Sequence, residues 1–91
     1  MSEEVEAQAE ADKGWEIVVN GDEREVPRSK VTWDEVVDIA YPGEREQPDK
    51  IFRVDYEDAN GNPKSGPLVE GEHVEVKHRG TEFSVIRSVR S

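Results

Sequence analysis

At 91 residues with a formal charge of −10, the chain is 37% charged and only 33% hydrophobic, which allows one domain whose core must use nearly every Val, Ile, Leu, Phe and Trp. The absence of cysteine excludes a disulfide scaffold, a thiol nucleophile, a zinc finger and an iron–sulfur cluster. No apolar run reaches the roughly 18 residues of a membrane span, and Met1-Ser2-Glu3-Glu4 is acidic where a secretory signal is basic and then apolar, so a soluble cytoplasmic protein with no membrane partner is expected.

Residues 1–13 hold Glu3, Glu4, Glu6, Glu10 and Asp12 against Lys13 alone, with no apolar face to bury. So short an Ala/Glu segment is a marginal helix in isolation, and a disordered acidic arm is expected over 1–13. The sign reverses at the other end, where Lys77, Arg79, Arg87 and Arg90 face only Glu82. An acidic body repels phosphate backbones, so nucleic acid is not an expected partner.

From Gly14 the pattern becomes period two. Trp15, Ile17 and Val19 point one way, Glu16, Val18 and Asn20 the other. Asn20-Gly21 signals a tight turn because both residues tolerate positive φ. The return strand, Glu23 to Val26, stops at Pro27, as an edge strand does. A helix opens at Thr32, with Glu35 three residues on completing a capping box, and with Val31 and Val36 placed as a hydrophobic staple. Trp33, Val36, Val37 and Ala40 make one apolar stripe, and Tyr41-Pro42-Gly43 stops the helix. So short a helix must lie across a sheet.

Residues 43–50 read as a polar connector. Phe52, Val54 and Tyr56 then alternate with Arg53, Asp55 and Glu57 as a half-buried strand. Asn60 to Pro67 reads as a loop, with Leu68 its apolar anchor. Val74 and Val76 form the next strand, His78-Arg79-Gly80 a turn, and Phe83 and Val85 the last inward face. The order ββαβββ in one small domain predicts an α+β, β-grasp (ubiquitin-like) fold over residues 14–87. Its five-stranded mixed sheet has the order 2-1-5-3-4, the first and last strands parallel at the centre and the helix in the crossover between them. The expected core is Ile17, Val19, Val26, Trp33, Val36, Val37, Ala40, Phe52, Val54, Leu68, Val74, Val76, Phe83 and Val85. Residues 88–91 are left as a flexible tail.

Sites of chemistry are sparse. His73 and His78 have no third ligand at metal spacing, Ser29, Ser65 and Ser84 have no evident base, and Gly66, Gly71 and Gly80 form no phosphate loop. No metal, cofactor or enzymatic activity is therefore expected. The outward positions Arg53, Asp55, Glu75 and Lys77 are charged, whereas Val18 and Ile86 are outward on the two central strands. Two readings of that pair stand side by side: a small apolar partner contact, or β-branched residues chosen for strand propensity.

Taken together, Ile17-Val18-Val19-Asn20-Gly21, the stretch Val31 to Ala40, Phe52-Arg53-Val54-Asp55-Tyr56, Leu68 to Lys77 and Gly80 to Ser88 resemble the bacterial multiubiquitin family. The resemblance covers roughly residues 15–91. It implies a ubiquitin-like modifier, of a kind encoded in operons beside an adenylating activating enzyme, a conjugating enzyme and a JAB-type metallopeptidase. Some of those operons are linked to antiphage defence. The implied partners are these enzymes, including a processing or deconjugating peptidase, and a target protein.

The implied site is the tail, Ser88, Val89, Arg90 and Ser91, which continues the apolar–arginine rhythm that begins at Ile86-Arg87. The Ser91 carboxylate would be adenylated and passed to a thiol, while Arg87 and Arg90 pair with acids on the activating enzyme. Ubiquitin-like modifiers usually close on Gly-Gly, and this sequence closes on Arg90-Ser91. That departure leaves three readings open: enzymes that accept serine, a tail trimmed first, or a non-conjugated β-grasp interaction module.

Overall fold

The computed structural model of the protein describes residues 14–89. Strands β1 (Trp15–Val19) and β2 (Asp22–Val26) form the expected hairpin, with Val19 opposite Asp22 and Trp15 opposite Val26. The turn between them places Asn20 at φ 52° and Gly21 at φ 88°, a pair of positive values whose twist matches that of the flanking strands.

A short β3 (Lys30–Thr32) leads directly into helix α1 (Trp33–Ala40). The capping box is complete. The Thr32 hydroxyl accepts from the Glu35 amide at 3.1 Å, and the Glu35 carboxylate accepts from the Thr32 amide at 2.9 Å. Val31 and Val36, the staple pair, are both fully buried. At the other end the Tyr41 amide still reaches the Val37 carbonyl at 2.8 Å before Pro42 forbids continuation.

The remaining strands are β4 (Lys50–Glu57), β5 (Gly66–Leu68), β6 (His73–Glu75) and β7 (Arg79–Val89). Five of the seven make one mixed sheet in the order β2-β1-β7-β4-β5, and β1 runs parallel to β7 at its centre. The helix lies in the crossover between these two and packs on one face of the sheet. This is a ubiquitin-like β-grasp, and the expected central pair is in place.

The edge beyond β4 is a correction. It belongs to Gly66–Leu68, not to the strand of Val74 and Val76. The Gly- and Pro-rich composition of that segment reads as loop, yet Pro67 sits on an edge, where a missing N–H is tolerated, and Leu68 is buried opposite Val54. The displaced strand β6 pairs instead with β3, Val74 opposite Val31, in a separate two-stranded sheet beside the helix start.

The core holds Ile17, Val19, Val26, Trp33, Val36, Val37, Val54, Leu68, Val76, Phe83 and Val85 as expected, and adds Val31, Tyr56 and Ala59. Ala40, Phe52 and Val74 are only partly buried at its margin. Among the described residues one polar side chain is fully enclosed. Thr81 donates its hydroxyl to the Asp58 carbonyl at 2.8 Å and accepts from the Lys77 amide at 2.9 Å, which joins two loops beneath the start of β7.

The flexible tail expected over 88–91 is corrected at its first two residues. Ser88 and Val89 belong to β7, opposite Ile51 and Lys50, because β4 begins early enough to pair with them. Arg90, Ser91 and the expected disordered arm over 1–13 lie outside the described residues.

Candidate functional site

The carboxyl-terminal half of β7 carries most of the residues singled out above, and its surroundings change partway along. β1 flanks the strand up to Phe83 and β4 flanks it from Glu82 onward, so the two neighbours overlap at Glu82 and Phe83. There β1 ends, but Asn20 extends its reach. The Asn20 amide donates to the Phe83 carbonyl at 2.9 Å. Its side chain accepts from the Val85 amide at 2.8 Å and donates to the Val85 carbonyl at 3.1 Å. A side-chain amide thus imitates one more residue of strand. From Ile86 onward β4 is the only strand paired with β7 among the described residues, with Ile86 opposite Arg53 and Arg87 opposite Phe52.

Arg87 lies on the helix side of the sheet, past the end of α1. Its guanidinium donates to the Glu44 carboxylate at 2.7 Å and sits 4.9 Å above the Tyr41 ring. The hydrogen bond to Glu44, reinforced by its charge, raises the Arg87 pKa. Behind Tyr41 the aromatic contacts continue inward, to Phe52 at 5.9 Å and from Phe52 to the buried Trp33 at 6.3 Å. Sequence reasoning assigned Arg87 to a partner's acids and did not foresee Tyr41 and Glu44, whose only local signal is that they follow the helix stop.

Val18 and Ile86 are on the outer face, as expected, and both line one shallow concavity of about 730 Å³ with Asp55, Glu57 and Glu82. They do not form a contiguous apolar spot. The parallel register sets Val18 level with Glu82, four residues before Ile86, so the outward Ser84 stands between them along β7. The apolar neighbour of Ile86 is Ile51, diagonal to it across the β4–β7 ladder, and the two are 54% and 45% exposed. On the same outer face Arg53 and Asp55 are paired at 3.3 Å, whereas Glu57 and Glu82 stand directly opposite each other. Glu75 is absent from this face because β6 left the sheet.

Elsewhere, His78 packs edge-on against Trp15, and among the described residues no three metal-binding side chains cluster. No helix among them is long and apolar enough to cross a membrane.

A family model described as Multiubiquitin matches residues 15–88, from the first residue of β1 to the penultimate residue of β7. The chain belongs to the multiubiquitin family. No curated protein and no solved structure matches it. The multiubiquitin match takes in the hairpin, the capped helix and the one-sided end of β7, so the ladder that holds Arg87 and Ser88 falls within the family domain. The outer face of this multiubiquitin chain carries Arg53 and Asp55 on β4 and acids flanking Val18.

Proposed function

We propose that this multiubiquitin chain is a protein modifier, activated at its carboxyl end and joined to a target. Support comes from the path of β7. The strand runs beside β1, gains β4 at Glu82 and then carries the chain past the end of its parallel neighbour, so its last described residues have one strand beside them. An end delivered in this way can be drawn into a narrow enzymatic channel without disturbing the core.

In the proposed chemistry the terminal carboxylate attacks the α-phosphate of ATP, giving an acyl adenylate and releasing pyrophosphate. A cysteine thiolate of the activating enzyme displaces AMP to form a thioester. A conjugating enzyme then passes the acyl group to a target amine. The reacting carboxylate is that of Ser91, or of the residue uncovered by a JAB-type processing peptidase. The setting is the cytoplasm, in an operon-encoded conjugation system.

Incubation with ATP and the activating enzyme encoded beside it is the direct test. This reading expects a thioester adduct that a reducing thiol discharges. Absence of both adduct and pyrophosphate exchange, with the full chain and with a chain trimmed of Ser91, would contradict it.

A second reading, a non-conjugated interaction module, is favoured by the pairing of Ser88 and Val89 within β7. Deletion of residues 89–91 separates the two. A modifier loses its function, whereas a module keeps it.

A further inference from the structure

We propose that Arg87, Tyr41 and Glu44 form a latch that holds the end of β7 on the sheet, and that opening this latch frees the carboxyl-terminal segment for activation. The functional half of this inference rests on the modifier reading above. The structural half does not.

The first observation is a change of support at one residue. Asn20 closes the β1 side of β7 at Val85 by engaging both of its backbone groups. By strand alternation, Ile86 and Ser88 then direct their N–H and C=O toward β4. Beyond Val85 the strand therefore has a partner on one side only. Its side chains add little burial, since Ile86 is 54% and Val89 is 63% exposed. A two-stranded ribbon without a buried face is marginal in water. Left to backbone pairing alone, residues 86–89 would fray from Val85.

The second observation is what opposes fraying. Among the described residues, Arg87 is the one member of this segment whose side chain is hydrogen-bonded to another part of the fold, by the 2.7 Å bond to Glu44, and it also stacks over Tyr41. The receiving half of the latch is rigid. Tyr41 packs on Phe52, and Phe52 on Trp33 in the core. Glu44 is fixed by its amide, which donates to the Tyr41 carbonyl at 3.2 Å. The moving half is a guanidinium, which keeps its charge at every physiological pH and exchanges one carboxylate for another. A partner that offers a carboxylate to Arg87 replaces Glu44, removes the tie and receives an extended segment in the same step. Val85 is the hinge, and Arg87 and Glu44 are positioning residues for activation.

Amide hydrogen exchange of the full chain, read residue by residue by NMR, tests the latch. Glu44→Gln and Tyr41→Leu are each expected to speed exchange at Ile86 and Ser88 by about 3- to 10-fold. Val19 and Val54 in the core should keep their wild-type rates. Added salt should speed exchange at Ser88 in the wild type but not in Glu44→Gln. Unchanged exchange at Ile86 and Ser88 in both variants overturns the latch, and so does an equal rise across the core.

The same variants test the consequence. Thioester formation at limiting activating enzyme should be faster for Glu44→Gln than for the wild type. A loosened end that reacts no faster overturns the claim that release precedes activation. A wild-type chain that forms no thioester contradicts the modifier reading instead, and exchange alone then decides the latch.

Discussion

Thr81 shows how much one side chain holds at the residue scale. Its hydroxyl serves the Asp58 carbonyl and the Lys77 amide, from two segments that meet only in the folded chain. Thr81→Val keeps the shape and leaves both groups without a partner. A loss of about 1–3 kcal/mol in denaturant-derived stability is expected; a variant as stable as the wild type would show that water replaces the hydroxyl. Nothing in the local sequence marks Thr81, because its acceptor at Asp58 reaches it only through tertiary contacts. Asn20 was half legible. Its turn role follows from Asn20-Gly21, but its side-chain grip on Val85 depends on the parallel placement of β7. Arg87 reads as a basic tail residue until Tyr41 and Glu44 are seen beside it.

At the scale of the element, legibility follows the range of the determining interactions. The helix start is written within four residues, and the capping box formed as its spacing required. Thr32→Ala should therefore cost about 1 kcal/mol, measured by urea denaturation; no change would mean that packing of Val31 and Val36 alone fixes the helix entry. Removing the Thr32 hydroxyl also leaves the Glu35 amide to solvent. The hairpin was equally readable, since its turn and its alternation lie in one short stretch. Strand β5 was not, and β6, read as a strand from Val74 and Val76, was given the wrong neighbour. Each has only three residues, and their partners are chosen at long range. Leu68 opposite Val54 and Val74 opposite Val31 settle the matter through burial that no local pattern encodes. The end of β7 was misplaced for a related reason. Ser88 and Val89 look like tail residues, and only the early start of β4 at Lys50 extends the ladder to meet them.

For the whole molecule, the acidic balance is a stability term as well as a clue to partners. The acids outnumber the bases in the domain as well as in residues 1–13, and two like-charge pairs, Glu57 with Glu82 and Glu16 with Glu25, face each other across strands. Among the described residues, Glu16 alone of these four has a cation near it, Arg79 at 3.8 Å. Directly opposed like charges destabilise a sheet, and salt screens them. Raising sodium chloride from low millimolar to half molar should therefore increase unfolding free energy by about 1 kcal/mol. A flat or falling salt dependence would mean that the ion pairs of Arg45 with Asp34 and Asp38 outweigh the repulsion. The end of β7, where the proposed activation would act, has a strand on one side only among the described residues.

That proposal reduces to a covalent event, so intact-mass measurement on the protein recovered from its native host tests it most directly. The account predicts species in which the carboxyl-terminal peptide is joined through an amide bond to an amine of another chain. Recovery of the free chain alone, under conditions where its biological activity is present, would contradict it.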